Sequence, residues 1–263
     1  MPVRKAAFLH ILLLKKKFLE KHIFSGIFFF TRTRFQRMAE AIQPKAEENE
    51  YLQDVHINEN LASSRYVHLE QIQFKRGDKI VKWDMALRPD SVACVIYHRD
   101  KKSLMFVKQF RPAIFVSLVR KMPENRGKES NAIDWSKYPI SIGETIELCA
   151  GLIDKPNLSE VAHMREEIIE ECGYDVPESS IRLLKRFVTG IGVSGSHQFL
   201  YYAEVDDSMK VSEGGGTDSE RIQKVFMTLP EAERYSMATE VLSAPGLLYG
   251  LEWFFHHSKY SSH

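Results

Sequence analysis

Apolar and polar residues alternate with a period of two in several short runs of this chain, and such alternation predicts strands. Tyr66 to Phe74 alternates, an Arg76-Gly77-Asp78 turn follows, and Ile80 to Met85 continues, so this stretch reads as a hairpin. Ser91 to Tyr97 (SVACVIY) is apolar almost throughout and predicts a buried strand, with Ser103 to Phe110 as its partner across the polar turn His98 to Lys102. Residues 120–140 are rich in Lys, Asn, Pro, Gly and Ser and read as a loop. Thr145 to Cys149 predicts a short strand. Ser159 to Cys172 changes to helical spacing, with Ser159 as N-cap and Gly173 as the C-terminal stop. Arg182 to Val188, Gln198 to Val205 and Ile222 to Leu229 read as strands. Glu231 to Phe255 reads as helix, broken near Pro245-Gly246. Strands mixed with a few helices predict an α+β or layered α/β fold.

Composition sharpens this picture at one end. The chain has 263 residues, a formal net charge of +1 and 44% hydrophobic residues, enough to bury a core. The balanced charge gives no support for nucleic-acid binding. Three cysteines, Cys94, Cys149 and Cys172, argue against a disulfide framework or a cysteine-built zinc site and read as small buried hydrophobes. The first 40 residues, however, carry nine Lys or Arg against two acids. Their apolar runs, Ala6 to Leu14 and Ile23 to Phe30, fall short of the about 20 residues that cross a bilayer. Three readings of this leader stand open: a mitochondrial presequence, a weak membrane-surface or import contact, and an inert extension. A charged linker over residues 43–50 separates it from the body.

The predicted helix at 159–172 carries the candidate chemistry. Glu167, Glu170 and Glu171 stand at i, i+3 and i+4, so they share one helix face. Like charges at these offsets repel, and no Lys is interleaved to relieve them. An all-carboxylate set suits a hard divalent cation, Mg²⁺ or Mn²⁺, rather than zinc.

The segment Gly151 to Tyr174 resembles the Nudix box, G-x5-E-x7-R-E-U-x-E-E-x-G-U, with U apolar. Counted back from Gly173, Glu171, Glu170 and Glu167 fall on the box glutamates and Ile168 on the apolar position. Three departures stand out: Glu166 replaces the box Arg, Asn157 stands near the first Glu, and Gly151 is one residue too far upstream. A loop absorbs an extra residue, whereas a helix would turn its ligands by about 100°. The insertion is therefore placed near Pro156. Lys108 to Pro112 (KQFRP) and Glu147 to Asp154 (ELCAGLID) resemble the ADP-ribose and nucleotide-sugar pyrophosphatase branch of the same family, and ELCAGL and EECGY are similar to its uridine diphosphate glucose pyrophosphatase subgroup.

The resemblance implies an α/β/α sandwich with a mixed sheet and an N-terminal antiparallel hairpin subdomain. The leader and linker would occupy 1–50, the dimerising β subdomain 51–90 and the hydrolase domain 91–256. It implies a Mg²⁺-dependent hydrolase (Mn²⁺ being the second candidate) that cuts the pyrophosphate of a nucleotide sugar, UDP-glucose first and ADP-ribose second. The metal set would be the Ala150 carbonyl, Glu167, Glu170, Glu171 and Glu220. Glu170, Glu220 and Asp218 are the catalytic candidates, with Glu213 behind them. Arg88 and Arg111 would hold phosphate oxygens and Trp83 would stack the base. Glu147 would either bridge an Arg or hold a sugar. Gly214-Gly215-Gly216 reads as a mobile lid. A homodimer in the cytoplasm is expected, with the mitochondrion as the alternative compartment. The competing reading is a nucleotide-sugar binding module that has lost catalysis.

Overall fold

The computed structural model describes residues 50–59, 61, 63–217 and 220–260. The leader over residues 1–40 and Asp218 lie outside the described residues.

The sandwich grows from β3 (Ser91–His98), whose eight residues are all buried. Its side chains alternate between two cores, as the pleat requires. Val92, Cys94 and Ile96 enter one; Ala93, Val95 and Tyr97 enter the other. On its flanks lie β4 (Ser103–Phe110), antiparallel, and β8 (His197–Val205), parallel. β3 and β4 pair only near their shared turn, at Ile96–His98 with Ser103–Met105. Beyond it they diverge, and the stretch 144–152 fills the gap. Its first half, β5 (Glu144–Glu147), pairs with β4, and its second half, β6 (Cys149–Leu152), pairs with β3. β7 (Arg182–Val188) borders β8, and β9 (Gln223–Thr228) borders β4. The result is a seven-stranded mixed sheet.

Helices cover both faces. On one, α2 (Glu160–Glu167) continues into a π-turn, Ile168–Cys172, and Met164, Ile168 and Cys172 pack on Val92, Cys94 and Ile96. On the other, α3 (Leu229–Ser236) and α4 (Pro245–His257) bury Ala232, Leu247, Leu251 and Phe254. The expected break before Pro245 is present, since residues 237–244 are not helical. A smaller cluster joins α1 (Pro112–Lys121) to Ile133 and Trp135.

The helix α1, for which the sequence offers no signal, precedes the predicted loop at 120–140. Pro112 starts α1 at a position where its missing N–H is harmless, and Phe115 and Val119, four apart, bury the helix. Four single 3₁₀ turns then follow.

The predicted hairpin forms as β1 (His68–Arg76) and β2 (Lys79–Leu87), with Gly77 at φ 62° in the turn. It stands as a separate two-stranded sheet. Among the described residues, no helix is long and apolar enough to cross a membrane.

Candidate active site

The carboxylate helix is fixed at both ends by local chemistry. Ser159 caps its start, its hydroxyl taking the Ala162 N–H at 3.2 Å. Gly173 ends it in the left-handed conformation, φ 78°, where a Cβ would collide with the Ser212 carbonyl. The glycine triplet then closes over this end. The N–H groups of Gly215 and Gly216 donate to the Glu171 and Glu170 carbonyls, both at 3.0 Å. Lys224 Nζ, from β9, donates to the Cys172 carbonyl at 3.0 Å, a cation where the helix dipole favours one. The N–H groups of Gly215 and Gly216 thus tie the expected lid loop to the helix that carries the acids.

Strand β6 faces the acids. Gly151 has no side chain because one would overlap the Glu167 carboxylate. Next to it, the Ala150 N–H donates to Glu171 Oε2 at 3.0 Å. Burial pushes the Glu167 carboxyl up to about 7, with the neighbouring charges of Glu170 and Glu220 adding to the rise and Lys155 opposing it. Glu171 is only 4% exposed, and burial pushes it up to about 8. The Cys149 thiol and Ala150 N–H draw it partly back, while Glu167 and Glu220 push it further. Cys149 is fully buried in the core, as its reading as a small hydrophobe expects, and its thiol lies on the Glu171 side of the seam.

Arg111 lies on the same side, close enough for Glu171 and Glu220 to favour its charged form. It forks onto Glu147, Nε to Oε1 at 2.7 Å and Nη2 to Oε2 at 2.6 Å. Burial raises the Glu147 carboxyl, but Arg111 and the Thr145 hydroxyl outweigh this and hold it below the usual range. Of the two readings of Glu147, the structure gives the bridge to an arginine.

The remaining candidates separate into two groups. Glu220 is exposed on the loop over the cluster and its Oε2 takes the Thr217 N–H at 3.3 Å. Glu213 is paired with Lys210 at 2.6 Å. Trp83 and Arg88 are brought to one another's neighbourhood by the turn 189–196. Trp83 Nε1 donates to the Gly192 carbonyl at 2.9 Å, and Arg88 bonds the Thr189 and Ser196 hydroxyls, both at 3.1 Å. The turn includes Ser194-Gly195-Ser196. No hydrogen bond or ion pair between the described residues joins Trp83 or Arg88 to the carboxylates.

The donor set fits a hard divalent cation. It offers carboxylate oxygens and the Ala150 carbonyl, and two of its acids are buried with more negative charge around them than local cations balance. Glu167, Glu170 and Glu171 do not converge to within 4.8 Å of one another. Among the described residues only His98, Asp100 and Asp207 converge so closely, and there Lys101 already donates to Asp207 at 2.9 Å.

No family model matches the chain. Individual relatives do. A uridine diphosphate glucose pyrophosphatase of Bos taurus is 33% identical over 204 residues, covering 74% of this chain and 90% of that protein. The chain belongs to the Nudix family of nucleotide-sugar pyrophosphatases. The corresponding Mus musculus protein is 29% identical over the same shares. A GDP-mannose pyrophosphatase of Citrobacter koseri is 31% identical over 67% of this chain and 82% of its own length. Among solved structures, an ADP compounds hydrolase aligns with a TM-score of 0.51 at 15% identity, covering 76% of this chain and 93% of that one, and it shows the same fold. As a Nudix diphosphatase, the protein is a hydrolase.

Proposed function

We propose that this Nudix hydrolase cuts the pyrophosphate bond of UDP-glucose, releasing UMP and glucose 1-phosphate, with Mg²⁺ as its metal. The observation that carries the reading is the pair of buried, charge-crowded acids Glu167 and Glu171 held against Ala150 and Gly151. The most similar relatives quoted above support the nucleotide, since two are named for uridine diphosphate glucose. ADP-ribose is the second substrate to test.

Glu167, Glu170, Glu171, Glu220 and the Ala150 carbonyl would hold the metal. A bound divalent cation offsets phosphoryl charge and lowers the pKa of a coordinated water. The protein's own groups do the rest. Glu220, on the loop facing the cluster, takes the proton of the attacking water, with Asp218 and Glu170 as the alternatives to be removed in turn. Arg111 uses Nε and Nη2 on Glu147 and presents Nη1 to a phosphate oxygen. Trp83, half exposed on β2, offers a ring face for the uracil, and Arg88 stands behind it for the distal phosphate.

The same proposal includes a homodimer built through the β1–β2 hairpin, and a cytoplasmic enzyme. Fractionation of cells expressing the chain with and without residues 1–40 tests the compartment, the mitochondrion being the other outcome.

The primary test is release of UMP from UDP-glucose and AMP from ADP-ribose with Mg²⁺, for wild type, Glu170→Gln and Glu171→Gln. Turnover of UDP-glucose that both substitutions abolish is the expected result. Faster release of AMP overturns the substrate, and no turnover of either overturns the activity proposed.

A further inference from the structure

Glu167, Glu170 and Glu171 have no Lys interleaved among them; Arg111 acts on Glu171 from outside the helix, and Glu167 and Glu170 draw on another cation. Arg165, beside them in sequence, is turned away. Its Nε and Nη2 both bond Asp175 Oδ1, at 2.8 and 2.7 Å. Lys155, from the loop between β6 and α2, comes instead. Its Nζ lies 2.5 Å from Glu166 Oε2. From there it acts on the charge of Glu167 and is acted on by Glu170 and Asp154.

The loop is built to hold Lys155 there. The Lys155 N–H donates to Nε2 of His163 at 3.2 Å, and His163 Nδ1 lies 3.0 Å from the Ser159 carbonyl. These partners assign the proton to Nδ1. His163 is 2% exposed and fully used by these two bonds. The Leu158 N–H closes the turn onto the Lys155 carbonyl at 3.2 Å. One buried imidazole thus ties the loop to the first turn of α2.

The ion pair itself is half exposed on both sides, and such pairs add little to folding stability. A buried histidine spent on placing a weak pair makes sense if placement is the purpose. We propose that Lys155, anchored by Glu166 and His163, is the positioning cation of the carboxylate helix. The acid stands on the helix and the base on the loop, the reverse of a helix-borne arginine at residue 166. The inference rests on the hydrolase reading for its kinetic arm, but its placement arm needs no turnover.

The test uses the full chain with Lys155→Glu, Glu166→Lys, the double exchange and Lys155→Arg. Loss of a group that orients metal-holding side chains lowers activity by about 10-fold or more. Lys155→Glu is therefore expected to lower kcat for UDP-glucose by that factor with KM little changed. Lys155→Arg and the double exchange should restore it to within about 3-fold, a deficit below the 10-fold that marks lost positioning. The melting temperature in EDTA is read in parallel: Lys155→Glu should fall and the double exchange should recover. An unchanged kcat in Lys155→Glu overturns the proposal, as does failure of the double exchange to rescue. Should wild type turn over no substrate, Mg²⁺ affinity measured by calorimetry decides: a loss of about 10-fold in Lys155→Glu is expected, and an affinity equal to wild type overturns the proposal.

Discussion

Glu171 Oε2 takes the backbone N–H of Ala150 at 3.0 Å, across the seam between the carboxylate helix and strand β6. The bond fixes the relative height of an acid and of the neighbouring carbonyl, so helix and strand present oxygens to one place.

Glu171→Gln keeps an acceptor for the Ala150 N–H and removes a buried charge. The folded protein should persist, and in EDTA at pH 8 it should melt at or above the wild-type temperature. Turnover should fall by about 100-fold or more, since a metal-holding carboxylate is lost. Calorimetry beside a UMP-release assay separates the two effects. Lower stability together with lower activity would mean that the charge, not the acceptor, holds the seam.

Stability of the metal-free protein should fall as pH rises through the window set by Glu167 and Glu171. Their carboxyls lose protons near 4.5 when unfolded, and near 7 and 8 when folded. The folded state therefore binds more protons across that interval. The stabilising contribution is complete below the unfolded value and is lost as pH rises through the folded ones. For the two groups together the loss is on the order of a few kcal/mol. Denaturant melts in EDTA from pH 5 to 8.5 measure it. The double variant Glu167→Gln/Glu171→Gln should flatten the slope, and so should Mg²⁺.

Gly151→Ala should inactivate without unfolding. The new methyl group would overlap the Glu167 carboxylate, which must swing away. The backbone pairing of Gly151 with Val92 is untouched. Overpacking of this kind costs about 1–3 kcal/mol, so a folded protein with a displaced Glu167 is expected. Circular dichroism, melting and turnover on the same sample check it. Full activity would show that Glu167 can be moved without consequence.

The sandwich and the place of the acids were legible because they rest on period and spacing. β3 alternates between two cores over eight buried residues, and Gly173 marks a turn that only a left-handed residue makes. What was not legible depends on contacts distant in sequence. α1 hides in a stretch with β-branched residues and no side-chain cap, and is held by Trp135 and Ile133 from the following turns. The π-turn at Ile168–Cys172 departs from the ideal helix assumed by the i, i+3, i+4 argument, and such turns gather at functional sites. Gly214 to Gly216 have the composition of a flexible loop, yet the N–H groups of Gly215 and Gly216 meet the helix carbonyls. The stretch around Pro156 is a loop, as its composition suggests, but the histidine that braces it lies eight residues from Lys155.

Arg111→Lys should separate charge from geometry. Lysine keeps a cation beside the acids but cannot make the two parallel bonds that Glu147 now accepts. Glu147 would then lose part of what holds its carboxyl low, so the stability it contributes above its unfolded pKa should shrink, and its loss on acidification should be complete at a higher pH. KM for UDP-glucose should rise by about 10-fold, one lost charged hydrogen bond. An unchanged KM with lowered stability would confine Arg111 to the bridge.

The hairpin predicts an assembly. By register, Ile72 faces Trp83 and Phe74 faces Val81, with Met85 further along, so one side of β1–β2 is apolar. Yet Ile72, Phe74 and Trp83 are 46%, 42% and 53% exposed. A lone two-stranded hairpin is marginal in water, and a contiguous apolar face calls for cover. A second copy can supply that cover, and Trp83 and Arg88 would then be placed by the contact. Light scattering of wild type should give a dimer. The variant Ile72→Asp/Phe74→Asp should give a folded monomer whose KM for UDP-glucose is raised more than its kcat is lowered, since the box helix lies elsewhere on the sheet. A monomeric wild type would remove the arm from the interface, and a monomeric variant with unchanged KM would remove Trp83 and Arg88 from the substrate site.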